Sequence, residues 1–150
     1  IAIHLRVGDV VELSDSNVED IVRKPTYYKS GKNYWGQYTS CWYNIKKCLD
    51  NMKESVRDIT IFAASHNPKQ HMDIGYREIG TEKSCLYIDM IQQRLEEAGY
   101  SVIKRLGGDP DEDFILMTTA PYFIQSGGGY SNLISDVREK LGLPSCKATL

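Results

Sequence analysis

Ile1-Ala2-Ile3-His4-Leu5-Arg6-Val7-Gly8-Asp9 opens the chain, and its reading decides the fold. The apolar start, with His4 and Arg6 at alternate positions, predicts a buried strand whose C-terminal end carries two polar side chains on one face. In an open α/β sheet, ligands bind in the crevice beyond the carboxyl ends of the strands. Gly8 supplies a sharp turn that a bulkier residue would strain. Arg6 is the informative residue: a guanidinium near the interior needs an anionic partner, and its planar fork suits phosphate or carboxylate. Taken alone, these residues leave two readings open, a phosphate site or an Arg6–Asp9 pair that braces the turn.

Outward from this stretch, strands and helices alternate. Tyr38, Cys41, Trp42, Ile45, Cys48, Leu49 and Met52 recur at helical spacing, so residues 37–52 are expected to form an amphipathic helix over one face of a sheet. Residues 58–64 are β-branched and apolar, a second buried strand that ends in the Ser65-His66-Asn67-Pro68 turn. The stripe Leu86, Met90, Ile91, Leu95 and Ala98 predicts a helix over 84–98, stopped at Gly99, with a short third strand at 100–104. Asp109 as N-cap, Pro110 and Glu112 mark the start of a helix running to about residue 120. A fourth strand at 121–125 leads through a glycine-rich turn into a last helix, with Leu133, Ile134, Val137 and Leu141 inward. The alternation implies parallel pairing, a Rossmann-like α/β sheet of at least four strands with helices on both faces.

The chain has 150 residues, one domain of ordinary size, with 41% hydrophobic and 25% charged residues. A formal net charge of −2 argues against a general nucleic-acid or anionic-membrane binder, so any phosphate site is local. No stretch approaches the roughly 18 to 20 apolar residues that span a bilayer. The start inside a strand, without Met, reads as a piece of a larger protein. Cys41, Cys48, Cys85 and Cys146 fit no zinc spacing; Cys41 and Cys48 are seven apart on one helix, about 10 Å along its axis, and cannot pair. Small buried hydrophobes are the expected role of all four. His66 and His71 lack a third ligand at suitable spacing, so no metal site is expected.

Two stretches offer binding chemistry. Residues 10–35 read as a long polar loop leaving the end of the first strand. Its Tyr27, Tyr28, Tyr34 and Trp35 suit either a sugar-binding surface or rings tucked onto the domain. In Ser126-Gly127-Gly128-Gly129-Tyr130-Ser131, three glycines and a helix N-terminus can cradle an anion, or can simply pack helix against strand. The run matches neither a Walker loop nor a G-x-G-x-x-G fingerprint.

His4-Leu5-Arg6-Val7-Gly8-Asp9 resembles the H-x-R-x-G-D motif of the fucosyltransferases, the group of α-1,2-, α-1,6- and protein O-fucosyltransferases. The stretch from Asp113 through Met117, Ala120, Phe123, Ile124 and Ser126 to Gly128 and Gly129 is similar to that group's late motif. Residues 1–150 would then be a single nucleotide-sugar-binding domain, the C-terminal donor-binding half of a GT-B-like glycosyltransferase. An N-terminal domain of the same chain would lie before Ile1. In the group, the motif Arg binds the β-phosphate of GDP-fucose, which carries over to Arg6; in the α-1,6 branch the late Asp binds guanine, which carries over to Asp113. The Ser-Ser that touches phosphate in that branch falls at Gly128 and Gly129, so backbone amides, or Ser126 and Ser131, would replace the hydroxyls. Ala64-Ser65-His66-Asn67 resembles the group's Ala-Ser/Thr-Asp turn but lacks its acid.

The resemblance implies a metal-independent, inverting transfer of fucose from GDP-fucose, with no cofactor, to a glycan or protein hydroxyl. Arg6, His4 and the 127–131 amides would stabilise the leaving β-phosphate. Asp9 and Glu12 are the candidate acids for the acceptor's proton. The donor-binding set is His4, Arg6, Gly8, Asp113, Ser126, Gly127, Gly128, Gly129, Tyr130 and Ser131. A eukaryotic parent would place it in the Golgi or ER lumen, a bacterial one in the cytoplasm. Two alternatives stand beside this reading: a catalytically inactive nucleotide-sugar-binding domain, and an α/β protein-interaction domain without a small ligand.

Overall fold

The computed structural model describes residues 1–12, 14–26, 28–30, 33–36, 39–52, 55–63 and 82–149, with only the backbone of 28–30 and 33–36. The Ser65-His66-Asn67-Pro68 turn, His66, His71, Tyr27 and Tyr38 lie outside the described residues. The elements in order are β1 (Ala2–His4), α1 (Asp9–Glu12), α2 (Val18–Arg23), β2 (Tyr28–Ser30), β3 (Asn33–Gly36), α3 (Trp42–Asp50) and β4 (Asp58–Ala63). Then come α4 (Glu82–Glu97), β5 (Ser101–Leu106), α5 (Pro110–Thr119), β6 (Phe123–Gln125), α6 (Gly129–Lys140) and β7 (Ser145–Lys147).

Five strands form one all-parallel sheet in the order β5-β4-β1-β6-β7, and β2 and β3 form a separate antiparallel hairpin. The pleat divides the core in two. Ile3, Ile59, Ile61 and Ile124 pack with α1 to α4 on one face, and Ala2, Phe62 and Phe123 pack with Met117 of α5 and Ile134 of α6 on the other. The α/β class, the parallel pairing and helices on both faces are as the sequence predicts.

Several boundaries and contacts differ. Residues 10–35 are not a single loop: Val10, Val11, Val18, Ile21 and Val22 are buried, and their apolar pull folds α1 and α2 against α4. The helix expected from residue 37 begins only at Trp42, and the strand expected at 121–125 is paired only from Phe123. The third strand runs on to Leu106, because β4 pairs with it as far as Ala63↔Leu106. Leu86, Leu133 and Leu141 are exposed instead of inward, as is Ala98. On α6 the buried positions are Ser131, Ile134 and Arg138. The short edge strand β7 carries no apolar run and escapes sequence reading.

The cysteines also depart from expectation. Cys48 of α3 and Cys146 of β7 form a disulfide across 98 residues of sequence, while Cys85 is exposed and only Cys41 is a buried thiol. Excluding a Cys41–Cys48 pair on one helix was sound, but it said nothing of a partner on a distant strand.

Arg138 is fully buried. Its guanidinium donates to the carbonyls of Met117 (2.9 Å), Thr118 (2.8 Å), Ala120 (2.6 Å), Pro121 (3.4 Å) and Pro144 (2.7 Å), and to Ser145 Oγ (3.1 Å). The last turn of α5 has no basic residue of its own. Arg138 thus supplies the positive charge that the carbonyl end of a helix favours and fills its orphan acceptors. Burial lowers its proton affinity, and the Phe123 ring lies 5.7 Å from its central carbon.

Arg138→Lys keeps a charge but loses the planar fork, and urea unfolding should show a loss of about 3 kcal/mol. Cys146→Ser should cost about 3 kcal/mol in the same assay, since the bond closes a long loop in the unfolded chain.

Candidate functional site

In the sheet order, β4 and β5 extend from β1 on one side while β6 and β7 extend on the other. The chain therefore leaves β1 toward one face, through α1, and leaves β6 toward the opposite face, through α6. The topology rule for open α/β sheets puts a binding crevice between the carboxyl ends of two such neighbours, and here its two walls would be the motif after β1 and the glycine turn after β6.

His4, the last residue of β1, is buried. Its Nδ1 lies 3.0 Å from Ser131 Oγ and 3.2 Å from Ser126 Oγ. Ser126 Oγ also accepts the Arg6 backbone N–H at 2.9 Å, so one hydroxyl oxygen meets both the backbone after β1 and the imidazole. Burial first, and the Arg6 charge second, bring the His4 imidazole down to about 4. The ring is neutral at neutral pH and serves as a fixed joint between the two walls. The edge of Tyr130 packs on it, with centroids 5.6 Å apart.

The Arg6 guanidinium donates to Asp9 Oδ1 at 2.8 Å, with side-chain exposures of 34% for Arg6 and 17% for Asp9. The turn-bracing pair expected from local chemistry is therefore present, yet a third of the Arg6 side chain remains open to solvent. Gly128, the N-cap of α6, has φ 102°. A Cβ built there would sit 3.8 Å from Arg6 Cδ, so the arginine shank lies directly over the glycine turn. Gly8, at φ 81°, makes the sharp turn the sequence predicts, and its N–H donates to Ser84 Oγ at 3.1 Å.

The remaining site residues separate by role. Ser126 and Ser131 have no exposed surface. Their hydroxyls hold His4; of the turn that follows, Gly127 is buried, Gly128 half-buried, and Gly129 and Tyr130 exposed. Glu12 Oε1 accepts the Ser84 N–H at 2.7 Å in the first turn of α4, a helix-capping bond. Tyr130 donates its hydroxyl to the Pro110 carbonyl at 2.7 Å and packs on Phe114, joining the first turns of α5 and α6. Its phenol is raised by burial and by the acids Asp113, Asp111 and Asp109.

Asp113 is buried, 8% exposed, in the first turn of α5. Its carboxylate pairs with Arg105 Nε, and Arg105 also donates to Glu112 Oε2 at 2.7 Å. These two carboxylates, Asp113 foremost, raise the Arg105 proton affinity. Sequence reading missed Arg105 and Ser84: each acts on a residue that is not its sequence neighbour, and neither belongs to a motif.

Asp109, Asp111 and Asp113 stand at alternate positions at the start of α5. Here Asp109 Oδ1 accepts the Asp111 and Glu112 N–H groups and Asp113 is held by Arg105. Among the described residues no three His, Cys, Asp or Glu side chains are grouped to hold a metal ion. Compared with known proteins, the chain matches no family model and no curated protein.

The unfolded imidazole titrates near 6.5 and the folded one near 4, so between these values the unfolded chain binds more protons. The His4 contribution is complete above about pH 6.5 and is lost as pH falls toward 4, on the order of 3 kcal/mol in all. Urea unfolding across that window should show the slope in the wild type and a reduced slope in His4→Gln; equal slopes would count against a buried neutral imidazole.

Proposed function

We propose that this domain binds a guanine-nucleotide sugar at the β1/β6 crevice and serves as the donor half of a fucosyltransferase-like, GT-B-type glycosyltransferase. The observation that carries the reading is Arg6 lying over the glycine N-terminus of α6, at the sheet's switch point. A guanidinium above a helix N-terminus offers a phosphate both charge and fixed N–H donors. The resemblance of residues 4–9 and of residues 113–129 to the fucosyltransferase motifs supplies the donor, GDP-fucose.

On this reading the reaction is an inverting, metal-independent transfer to a glycan or protein hydroxyl. Positive charge grows on the sugar while negative charge grows on the departing β-phosphate. Arg6 and the amides of Gly128, Gly129 and Tyr130 meet that negative charge from positions set before the reaction. Neutral His4 fixes the two walls at their working separation, and Asp9 holds the guanidinium while leaving part of it exposed. Asp113 reads guanine from the first turn of α5. Of the two candidate acids, Glu12 is engaged by the Ser84 N–H at the N-terminus of α4 and Asp9 by the Arg6 guanidinium. The engagement of both Asp9 and Glu12 favours, as a second reading, donor binding without turnover.

Calorimetric titration with GDP, GDP-fucose, ADP and UDP tests the proposal. Guanine nucleotides should bind in preference to the others, and Arg6→Ala should weaken them about 10-fold to 100-fold, the loss of a charge-assisted phosphate contact. Unchanged GDP affinity in a folded Arg6→Ala protein would remove the phosphate role. Transfer with affinity intact would exclude the second reading.

A further inference from the structure

The geometry points to Arg105 as a positioning residue for base selectivity, acting through Asp113; this inference rests on the donor site proposed above. Asp113 is more than nine-tenths buried in the first turn of α5, the turn whose Pro110 carbonyl accepts the Tyr130 hydroxyl, and the Tyr130 ring in turn packs on His4. A buried carboxylate needs a cation or several donors to stay ionised. Arg105, from the end of β5, is the described side chain that meets Asp113, and it does so with Nε while its terminal nitrogen goes to Glu112. A guanidinium held by two carboxylates on one helix turn has little freedom to swing, so the Asp113 carboxylate is fixed in direction as well as in charge.

Gly108 provides a second, independent observation. A Cβ at this position would lie 2.8 Å from Asp113 Oδ1, 3.0 Å from Oδ2 and 3.1 Å from Arg105 Nε. The loop between β5 and α5 therefore runs directly against the ion pair, and only a residue without a side chain leaves both partners where they are. Arg105 approaches through Nε, which leaves the remaining lone pairs of the carboxylate to accept a ligand. On the donor reading, a carboxylate so held matches a ligand edge with adjacent N–H donors, such as N1–H and the 2-amino group of guanine. Hypoxanthine lacks the 2-amino donor and tests this feature alone.

Affinities for GDP and IDP, with inorganic pyrophosphate as a probe of the phosphate end, should be measured on the wild type and on Asp113→Asn, Arg105→Gln, Arg105→Lys and Gly108→Ala. The wild type should favour GDP over IDP by about 10-fold or more, the worth of one hydrogen bond to a charged group. Arg105→Gln should abolish most of that ratio while pyrophosphate affinity is unchanged, and Arg105→Lys should restore part of it. Gly108→Ala, which displaces the pair without removing a charge, should reduce the ratio in the same direction and reports on positioning should Arg105→Gln fail to fold. If Arg105→Gln and Gly108→Ala keep the full ratio while Asp113→Asn loses it, Arg105 has no positioning role and the guanine reading stands. If the wild type shows no preference, or Asp113→Asn preserves it, the guanine reading itself falls. A parallel loss of GDP, IDP and pyrophosphate binding in Arg105→Gln and Gly108→Ala would mark a general structural role and overturn the inference.

Discussion

The second half of this fold hangs on a cation that meets backbone carbonyls and, among the described residues, no carboxylate. Arg138 gathers the carbonyl end of α5, the entry to β6 and the entry to β7 around one guanidinium. The Met117 and Thr118 carbonyls would otherwise be buried acceptors without these donors, at a cost of about 1 to 3 kcal/mol apiece. Because α6 carries the arginine, the same contacts fix the axis of α6 against β6. The glycine turn that faces Arg6 is the connection between those two elements. The geometry at the top of the sheet is therefore inherited from a polar cluster at its foot.

At the top, rigidity comes from neutral groups. A charged imidazole between two buried hydroxyls would have to be desolvated, so the fold keeps His4 neutral and hydrogen-bonded to both. Charge is met instead by ion pairs, Arg6–Asp9 and Arg105–Asp113, in which each guanidinium, about a third exposed, stays in reach of water. This division between a neutral joint and paired charges suits a site that must present a cation to an anion without losing its shape.

Much of this was legible in the chain. The alternation of apolar runs and helical stripes gives an α/β parallel sheet, and Asp109-Pro110 marks the start of α5 because capping is a local interaction. The nine opening residues and the glycine turn place the two walls of the crevice. What escaped was set by contacts distant in sequence. Val10, Val11, Val18, Ile21 and Val22 look sparse along a polar stretch, yet α4 supplies their burial. Leu133 and Leu141 were expected inward on hydrophobicity alone, while Arg138, a surface residue by its chemistry, takes an inner position because carbonyls converge there. Arg105 and Ser84 lie outside every motif, since each acts on a residue brought near only by the sheet.

The Cys48–Cys146 bond has a mechanical meaning as well. A pull applied at the two ends of the chain runs along the backbone to Cys48, crosses the sulfur bridge, and leaves through Cys146; the 98-residue span between them carries no load. β1 lies in the stressed path, while β4, β5 and β6, with Asp113 and the glycine turn, lie in the sheltered one. Under tension the motif strand would be drawn out by shear between β4 and β6, and the two walls of the crevice would part while the wall built by β6 and α6 kept its shape.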